Sequence, residues 1–384
     1  MEWTPWFEGI KTVSGSRHWD PGESLPQRPS EPLVPAVAVD GLLEGNTDSN
    51  RTDLWRYPGI LPFETPEQPD LAAGGTPLLA SDWLSSAVGV DRVYIKDEGR
   101  NPTGSIADRD MAIALAASDA QEAGLPSAGR SAVAAAAAGA TAGVKTHLFV
   151  PSRAPFAAKA MINVHGGDMS VVGGRYDEAV TAYADAYADE WLALDVASAP
   201  FRLCGRQTVY LEILEALDWV APDRLVIPTG TGVGAVALSE IASRCVAAGL
   251  VDTCPEIVIA QPAGCAPLVD AFHDNKSEPV DWPTPDTICG ELEVPNPPFG
   301  SAVLHTLSQG AGSAISVPDP AALEAAVRSA SEGGIAASPA GGVAIAAATD
   351  VPSPDPNEEI VIINPSAGGL EADLLRSHLM GKGE

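Results

Sequence analysis

The hydrophobic pattern changes character near residue 74. Residues 1 to about 70 are rich in Pro, Gly, Asp and Trp with little periodicity, which predicts an irregular N-terminal extension wrapped over the main body. Beyond it, short apolar runs alternate with longer small-residue or amphipathic stretches. "RVYIK" (92–96), "THLFVP" (146–151), "DMSVVGG" (168–174), "RLVIPTG" (224–230), "EIVIAQP" (256–262) and "EEIVIINP" (358–365) predict strands. The segment after Ser105, "SAVAAAAAGATAG" (131–143), "AAKAMINVHGG" (157–167), "YDEAVTAYADAYADE" (176–190) and "AVALSEIASRCVAAG" (235–249) predict helices. Strands alternating with helices of this length indicate βαβ units, and so an α/β fold with parallel sheets covered on both faces. The Pro-rich stretches 277–300 and 351–357 read as loops, and no internal repeat is evident.

Composition narrows the function classes. At 384 residues the chain is long enough for two domains. It carries 51 acidic and 22 basic residues, a net charge of -29. The lysines are Lys11, Lys96, Lys145, Lys159, Lys276 and Lys382. Such a balance suits high salt, where counterions screen self-repulsion, and it predicts a halophilic setting. It argues against nucleic acid and anionic membranes as partners, because no basic stripe exists to hold phosphates. Cys204, Cys245, Cys254, Cys265 and Cys289 form no CxxC pair, which fits buried thiols in a reducing cytosol. The start "MEWTPWFEGIKT" lacks a basic region followed by an apolar run, and the alanine-rich run near 132 is too short to span a bilayer. The expectation is a soluble cytoplasmic protein.

Candidate chemistry sits at loop–helix junctions. In "YIKDEGRNPTGSIADRDMAIALAASDA" (94–120) a strand runs through turn formers into a helix, with Ser105 as N-cap and Asp108 three residues later. Such a start presents unpaired amides to an anion, yet the second helical position is Ala107. In "RLVIPTGTGVGAVALSEIA" (224–242), Gly230, Thr231, Gly232, Val233 and Gly234 join a buried strand to a helix. Glycines there let amides close on a phosphate. The run also satisfies a loose dinucleotide pattern, but the acidic residue expected about 20 positions on is replaced by Gln261 in "EIVIAQPAG". "PSAGRSAVAAAAAG", with Ser127 and Arg130, and "INPSAGGLEADLL", with Ser366, are weaker candidates. The six histidines lie apart, and no catalytic triad or metal spacing can be argued.

In order along the chain, these pieces resemble threonine synthase and the wider tryptophan-synthase-β-like class of pyridoxal-phosphate (PLP) enzymes, fold type II. "AGGTPLLASDWLSSAVGVDRVYIKDEGRNPTGSIADRDMAIA" is similar to that family's GGTPL segment and KDEG…NPTGSxKDR motif. "SAGRSAVAAAAAGATAGVKTHLFVP" resembles its (S/T)xGN loop, and "PFRLCGRQTVYLEILEAL" its RxEGQKT segment. "VIPTGTGVGAVAL" is similar to its phosphate loop, "GGIAASPAGGVAIAA" to its late Pro and small-residue segment, and "NPSAGG" to its terminal Ser/Thr–Gly turn. The likeness covers about residues 74 to 375.

The resemblance implies a two-domain fold with parallel-rich sheets covered by helices and the cofactor between them. An extension would fill 1–72, the larger domain 73–105 plus 185–384, and the smaller 106–184. It implies that the Schiff-base lysine falls at Ala107, so that no catalytic residue can be named. The family asparagine beside the cofactor ring falls at Arg130, and its loop asparagines at Thr231 and Gly234. The glutamate of RxEGQKT falls at Cys204, while Ser366 would face the pyridine nitrogen. Neither Lys96 nor Lys159 occupies the lost lysine's position. "KTVSG" (11–15) keeps the glycine of a CxxCG knuckle but neither cysteine, so no metal is implied. The expected cofactor-binding set is Ala107, Arg130, Gly230, Thr231, Gly232, Val233, Gly234 and Ser366, with PLP held non-covalently. The function implied is a degenerate threonine-synthase-like protein keeping a PLP or small-anion cleft, with small anions or amino acids as ligands and a homodimer as the assembly. Two alternatives stand beside it: an active PLP lyase using a non-standard base, and a nucleotide-binding or structural partner protein.

Overall fold

The computed structural model describes residues 2–26, 29–43, 47–66, 71–188, 190–310, 312–351 and 355–381. Residue 189 of the helix expected over 176–190 and residues 352–354 of the loop expected over 351–357 lie outside the described residues. In chain order the strands are β1 (Phe7–Thr12), β2 (His18–Trp19), β3 (Leu33–Val37), β4 (Leu78–Ala80), β5 (Arg92–Asp97), β6 (Glu122–Pro126) and β7 (Lys145–Pro151). They continue with β8 (Asp168–Val172), β9 (Leu192–Ala193), β10 (Arg224–Pro228), β11 (Glu256–Pro262), β12 (Ser313–Val317) and β13 (Glu359–Asn364). The chain divides into two compact units. The first comprises Met1–Gly75, Asn101–Glu212 and Glu240–Val251; the second comprises Thr76–Arg100, Ile213–Ser239 and Asp252–Glu384.

The second unit is built on a six-stranded sheet of order β12-β11-β10-β13-β5-β4. All neighbours pair in parallel except β4, which runs antiparallel to β5 at the edge. Every residue of β13 is buried, as a central strand covered on both faces requires. Ile360 and Ile362 join Val226, Val258 and Ile95 in one core with the apolar helix Pro339–Asp350. Burying each such side chain stabilises the fold by about 1.5–3 kcal/mol. That helix lies close to helix Asp319–Gly333, and the contact explains one glycine: a Cβ on Gly342 would stand 2.0 Å from the Ala322 carbonyl oxygen.

The first unit holds a four-stranded parallel sheet, β8-β7-β6-β9. The helix Arg130–Ala142 packs along helix Ala107–Ala116, where a small-residue face lets the two backbones approach. Strand β6, "EAGLP", has weak intrinsic strand character. Its pairing with β7 and β9 places it, and Gly124 is bare because a Cβ there would meet the Trp191 ring at 2.8 Å. The N-terminal segment carries a three-stranded antiparallel sheet, β2-β1-β3, around Phe7, Ile10 and Leu33. Little periodicity announces it because β1 contains Gly9 and β3 contains Pro35. Among the described residues no helix is long and apolar enough to cross a membrane.

Candidate active site and its family

In the first unit, the turn 101–106 leads into helix Ala107–Ala116, whose first nine residues are all buried. Ser105 Oγ accepts the Ala107 amide at 3.2 Å, so this serine caps the helix although Ile106 is the residue at the boundary. Asp108 reaches back to the turn, accepting from the Thr103 amide at 2.7 Å and from Thr103 Oγ1 at 2.5 Å. Asn101 Oδ1 accepts the Gly74 amide. Arg109 is fully buried and grips Glu212 through two parallel bonds of 2.7 Å, with Thr208 Oγ1 at 2.8 Å. Asp110, equally buried, receives Arg202 at 3.0 Å and Arg206 at 2.8 Å. The polar frame is thus held by its own partners, and at its centre stands the buried methyl of Ala107.

Arg130 opens the small-residue helix behind Gly129, whose φ of 142° leaves room for no other residue. Ser127 Oγ accepts the amides of Gly129 and Ala132 at 3.0 and 3.1 Å, which fixes the loop. The Arg130 side chain is itself buried. Cys204 is also buried, and burial pushes its thiol up to about 12. Near it lie Glu240, whose carboxyl burial holds above the usual range, and Arg244, which burial holds below its ordinary value. Gln207 bridges these two at 3.4 Å on each side. Glu240 and Arg244 escape sequence reasoning because they belong to a helix distant in the chain from Cys204. Their one-turn spacing on helix Val233–Ala247 is the only signal.

In the second unit, β10 ends at Pro228 and helix Val233–Ala247 begins five residues later. The amides of Gly230 to Ala235 donate to no acceptor among the described residues. Gly232 has φ 87°, and a Cβ there would stand 2.9 Å from Phe299 Cβ, so glycine is required. A Cβ on Gly230 would meet the Glu291 carbonyl oxygen at 3.0 Å. Gln261 is tied into the structure: its Nε2 donates to the Thr229 carbonyl and its Oε1 accepts the Leu268 and Val269 amides. It is not a carboxylate, so the acidic ribose contact of the dinucleotide pattern is absent at this position. Ser366 is buried, with Ser338 Oγ at 2.8 Å and the Glu291 carboxylate oxygens at 2.9 and 3.1 Å. Glu291 was no sequence candidate, lying in a Pro-rich loop 75 positions from Ser366.

Two lysines are accounted for separately. Buried Lys96, at the end of β5, donates to the Thr76 carbonyl at 2.6 Å, and Thr76 Oγ1 donates to Glu98 at 2.6 Å. Lys159 donates to the Ser152 carbonyl at 2.8 Å.

A glycine-walled amide cradle at a helix start, with a buried serine on a neighbouring strand end, is a combination that family comparison can decide. Residues 70–366 match the family described as pyridoxal-phosphate dependent enzyme. The chain belongs to that family. Within it the chain is threonine-synthase-like. It is 29% identical to the threonine synthase of Methanosarcina acetivorans over 299 residues, covering 76% of this chain and 73% of that protein. It is 31% identical to the threonine synthase of Mycobacterium leprae over 281 residues, covering 72% and 75%. Among solved structures, a fungal L-serine ammonia-lyase from Rhizomucor miehei superposes with a TM-score of 0.68 at 16% identity, over 79% of this chain and 97% of that one. The architecture is that of the fold type II PLP enzymes.

PLP is the cofactor this family implies, and the residues present fit it in part. The amides of 230–235, which have no acceptor among the described residues and stand at a helix start, are donors of the kind a phosphate takes. Residue 107 is an alanine and carries no amine.

Proposed function

We propose that this protein is a threonine-synthase-like PLP-family member that has lost its lyase chemistry and holds PLP, or another small phosphate ester, without a covalent bond. The reading takes Gly230, Thr231, Gly232, Val233 and Gly234 as the phosphate cradle and Ser366 as the group facing the ring nitrogen. Ala107 and Arg130 would replace the family's lysine and asparagine. Bound PLP supplies an electron sink for charge developing on an amino acid. The chain's own task would be to move the proton, and a methyl at residue 107 cannot do so.

The supporting observation is Ala107 itself: a buried methyl at the head of a helix whose polar surround is intact and engaged. Loss of a positioned acid or base costs roughly 10²–10⁴ in rate, and loss of the covalent link comes on top. Arg130 and Cys204 depart from the family pattern too, so divergence over many positions accounts for the chain better than one substitution. The acidic surface supports a high-salt setting. Amino acids or small anions are the ligand class, and a second copy of the chain is the partner the family implies.

The experiment is PLP binding in molar salt, on the natural protein and on Ala107→Lys. The natural protein should bind reversibly and release PLP on gel filtration. The variant should retain PLP after borohydride treatment, seen as a mass increase of the denatured chain. Rapid formation of threonine from O-phosphohomoserine by the natural protein would overturn the reading.

A further inference from the structure

Acids are spread along the chain, but residues 123–167 contain none. That stretch carries four cations, Arg130, Lys145, Arg153 and Lys159, in a protein whose charge is -29. Burial explains part of the gap, since helix Arg130–Ala142 is inward-facing over most of its length. It does not explain the solvent-facing part, which includes Ser152, Arg153, Phe156, Asn163 and Val164. A surface of one charge keeps chains apart. Exposed surface from which that charge is withheld is where another chain can approach.

Two elements of the first unit meet there. Helix Phe156–Val164 buries Ala158 and Ile162 on one side and leaves Phe156 and Val164 in solvent on another. At 84% and 72% exposure these are the most exposed large hydrophobic side chains among the described residues. The helix packs on β8, an edge strand that pairs with β7 alone. The Val172 carbonyl accepts the Ser152 amide at 2.7 Å, so Val172 directs its backbone groups towards β7. Val171 and Met169 are out of phase with it and direct theirs to the open side. Edge strands are commonly blunted by lysine, proline or a bulge, and "DMSVV" has none of these. Its one acid, Asp168, lies 3.4 Å from His147 Nδ1 and 3.8 Å from Lys145 Nζ.

We propose that this face docks an extended acidic segment of a partner protein, which adds to the open side of β8 as a further strand. Main-chain bonds to Met169 and Val171 supply the pairing, as in other strand-addition contacts. The segment's carboxylates meet Arg153 and Lys159, and its apolar side chains cover Val171, Phe156 and Val164. Charge complementarity selects this occupant over a second copy of the chain, because pairing the face with itself sets cations against cations. The proposal is independent of what the amide cradle holds.

The test uses two labelled, acetylated peptides, one of alternating glutamate and valine and one of alternating lysine and valine, with fluorescence anisotropy in molar salt. The Debye length is then about 3 Å, so a preference reports contacts and not the overall field, which favours the lysine peptide. Natural protein should bind the glutamate peptide about tenfold more tightly than the lysine peptide. Val171→Pro removes an outward amide without touching a bond to β7, and Phe156→Ser removes exposed apolar surface. Each should weaken glutamate-peptide binding about tenfold with an unchanged denaturation midpoint, and Arg153→Glu should reduce the preference between peptides. A preference for the lysine peptide, or affinity that Val171→Pro and Phe156→Ser leave unchanged, overturns the proposal. So does a natural protein that is dimeric on gel filtration and monomeric in those two variants, since the face then belongs to a second copy.

Discussion

The turn around Ala107 and the loop around Gly232 look alike in sequence, each a strand–turn–helix start rich in small and polar residues. They differ in what their polar groups are doing. Around Ala107 the groups are occupied: Thr103 with Asp108, Arg109 with Glu212 and Thr208, Asp110 with Arg202 and Arg206. Around Gly232 a run of amides has no internal acceptor among the described residues, and Gly230 and Gly232 lack side chains because Glu291, Phe299 and Val303 pack against them. The first region's motif residues are bound into buried ion pairs and hydrogen bonds with one another and with their neighbours. The second keeps amides that no acceptor among the described residues uses. Survival of a motif therefore says little about survival of its chemistry unless its polar groups are left unengaged.

This contrast can be broken most directly at Arg109. Removing one partner of a buried pair leaves an uncompensated charge and costs about 3–5 kcal/mol. Arg109→Ala should lower stability in denaturant titrations by that amount, whereas Ala107→Lys should change PLP attachment. A loss below about 1 kcal/mol for Arg109→Ala would mean that the frame is not structural and must be kept for another reason.

Gly232→Ala probes the other side. Forcing an alanine to φ 87° costs about 1–2 kcal/mol, and its Cβ would press on Phe299. Affinity for pyridoxine 5′-phosphate should fall about tenfold or more in calorimetric titration while the fold persists. Unchanged affinity would remove the cradle from the argument.

The smallest effect concerns Cys204 and appears only in alkali. Burial raises its thiol from 9.0 to about 12. A group whose folded value is raised binds its proton more tightly when folded, so its contribution is fully present below about pH 9 and lost as pH rises towards 12. Cys204→Ala should flatten the decline of stability between those values. At pH 8 a thiol reagent should react with exposed Cys254 and spare buried Cys204, Cys245, Cys265 and Cys289 until the chain is unfolded. Rapid native labelling of Cys204 would contradict its burial.

Much of the fold is legible in the chain because the central strands β5, β7, β10, β11 and β13 are apolar runs that only a covered parallel sheet accepts. The glycine loop is legible for a related reason: backbone that must turn sharply and approach a ligand tolerates little besides glycine. Illegible were β6, whose Gly124 and Pro126 weaken its local preference, and the N-terminal sheet, whose strands gain order by pairing with one another. The roles of Gln261 and Glu291 were hidden in the same way. Nothing near Gln261 in sequence reveals that its amide spans Thr229 and the amides of Leu268 and Val269.

Residue identity and local periodicity were enough to establish the α/β class, the family resemblance and the absence of an amine at residue 107, since each is a property of the chain at one place. Which polar groups are engaged and which are left for a ligand is a property of the packing. It depends on contacts such as Arg109 with Glu212 and Ser366 with Glu291, which bring together residues 103 and 75 positions apart. Hydrogen-bond capacity is used up in space rather than along the sequence, so the folded chain alone separates the retained frame from the open cradle.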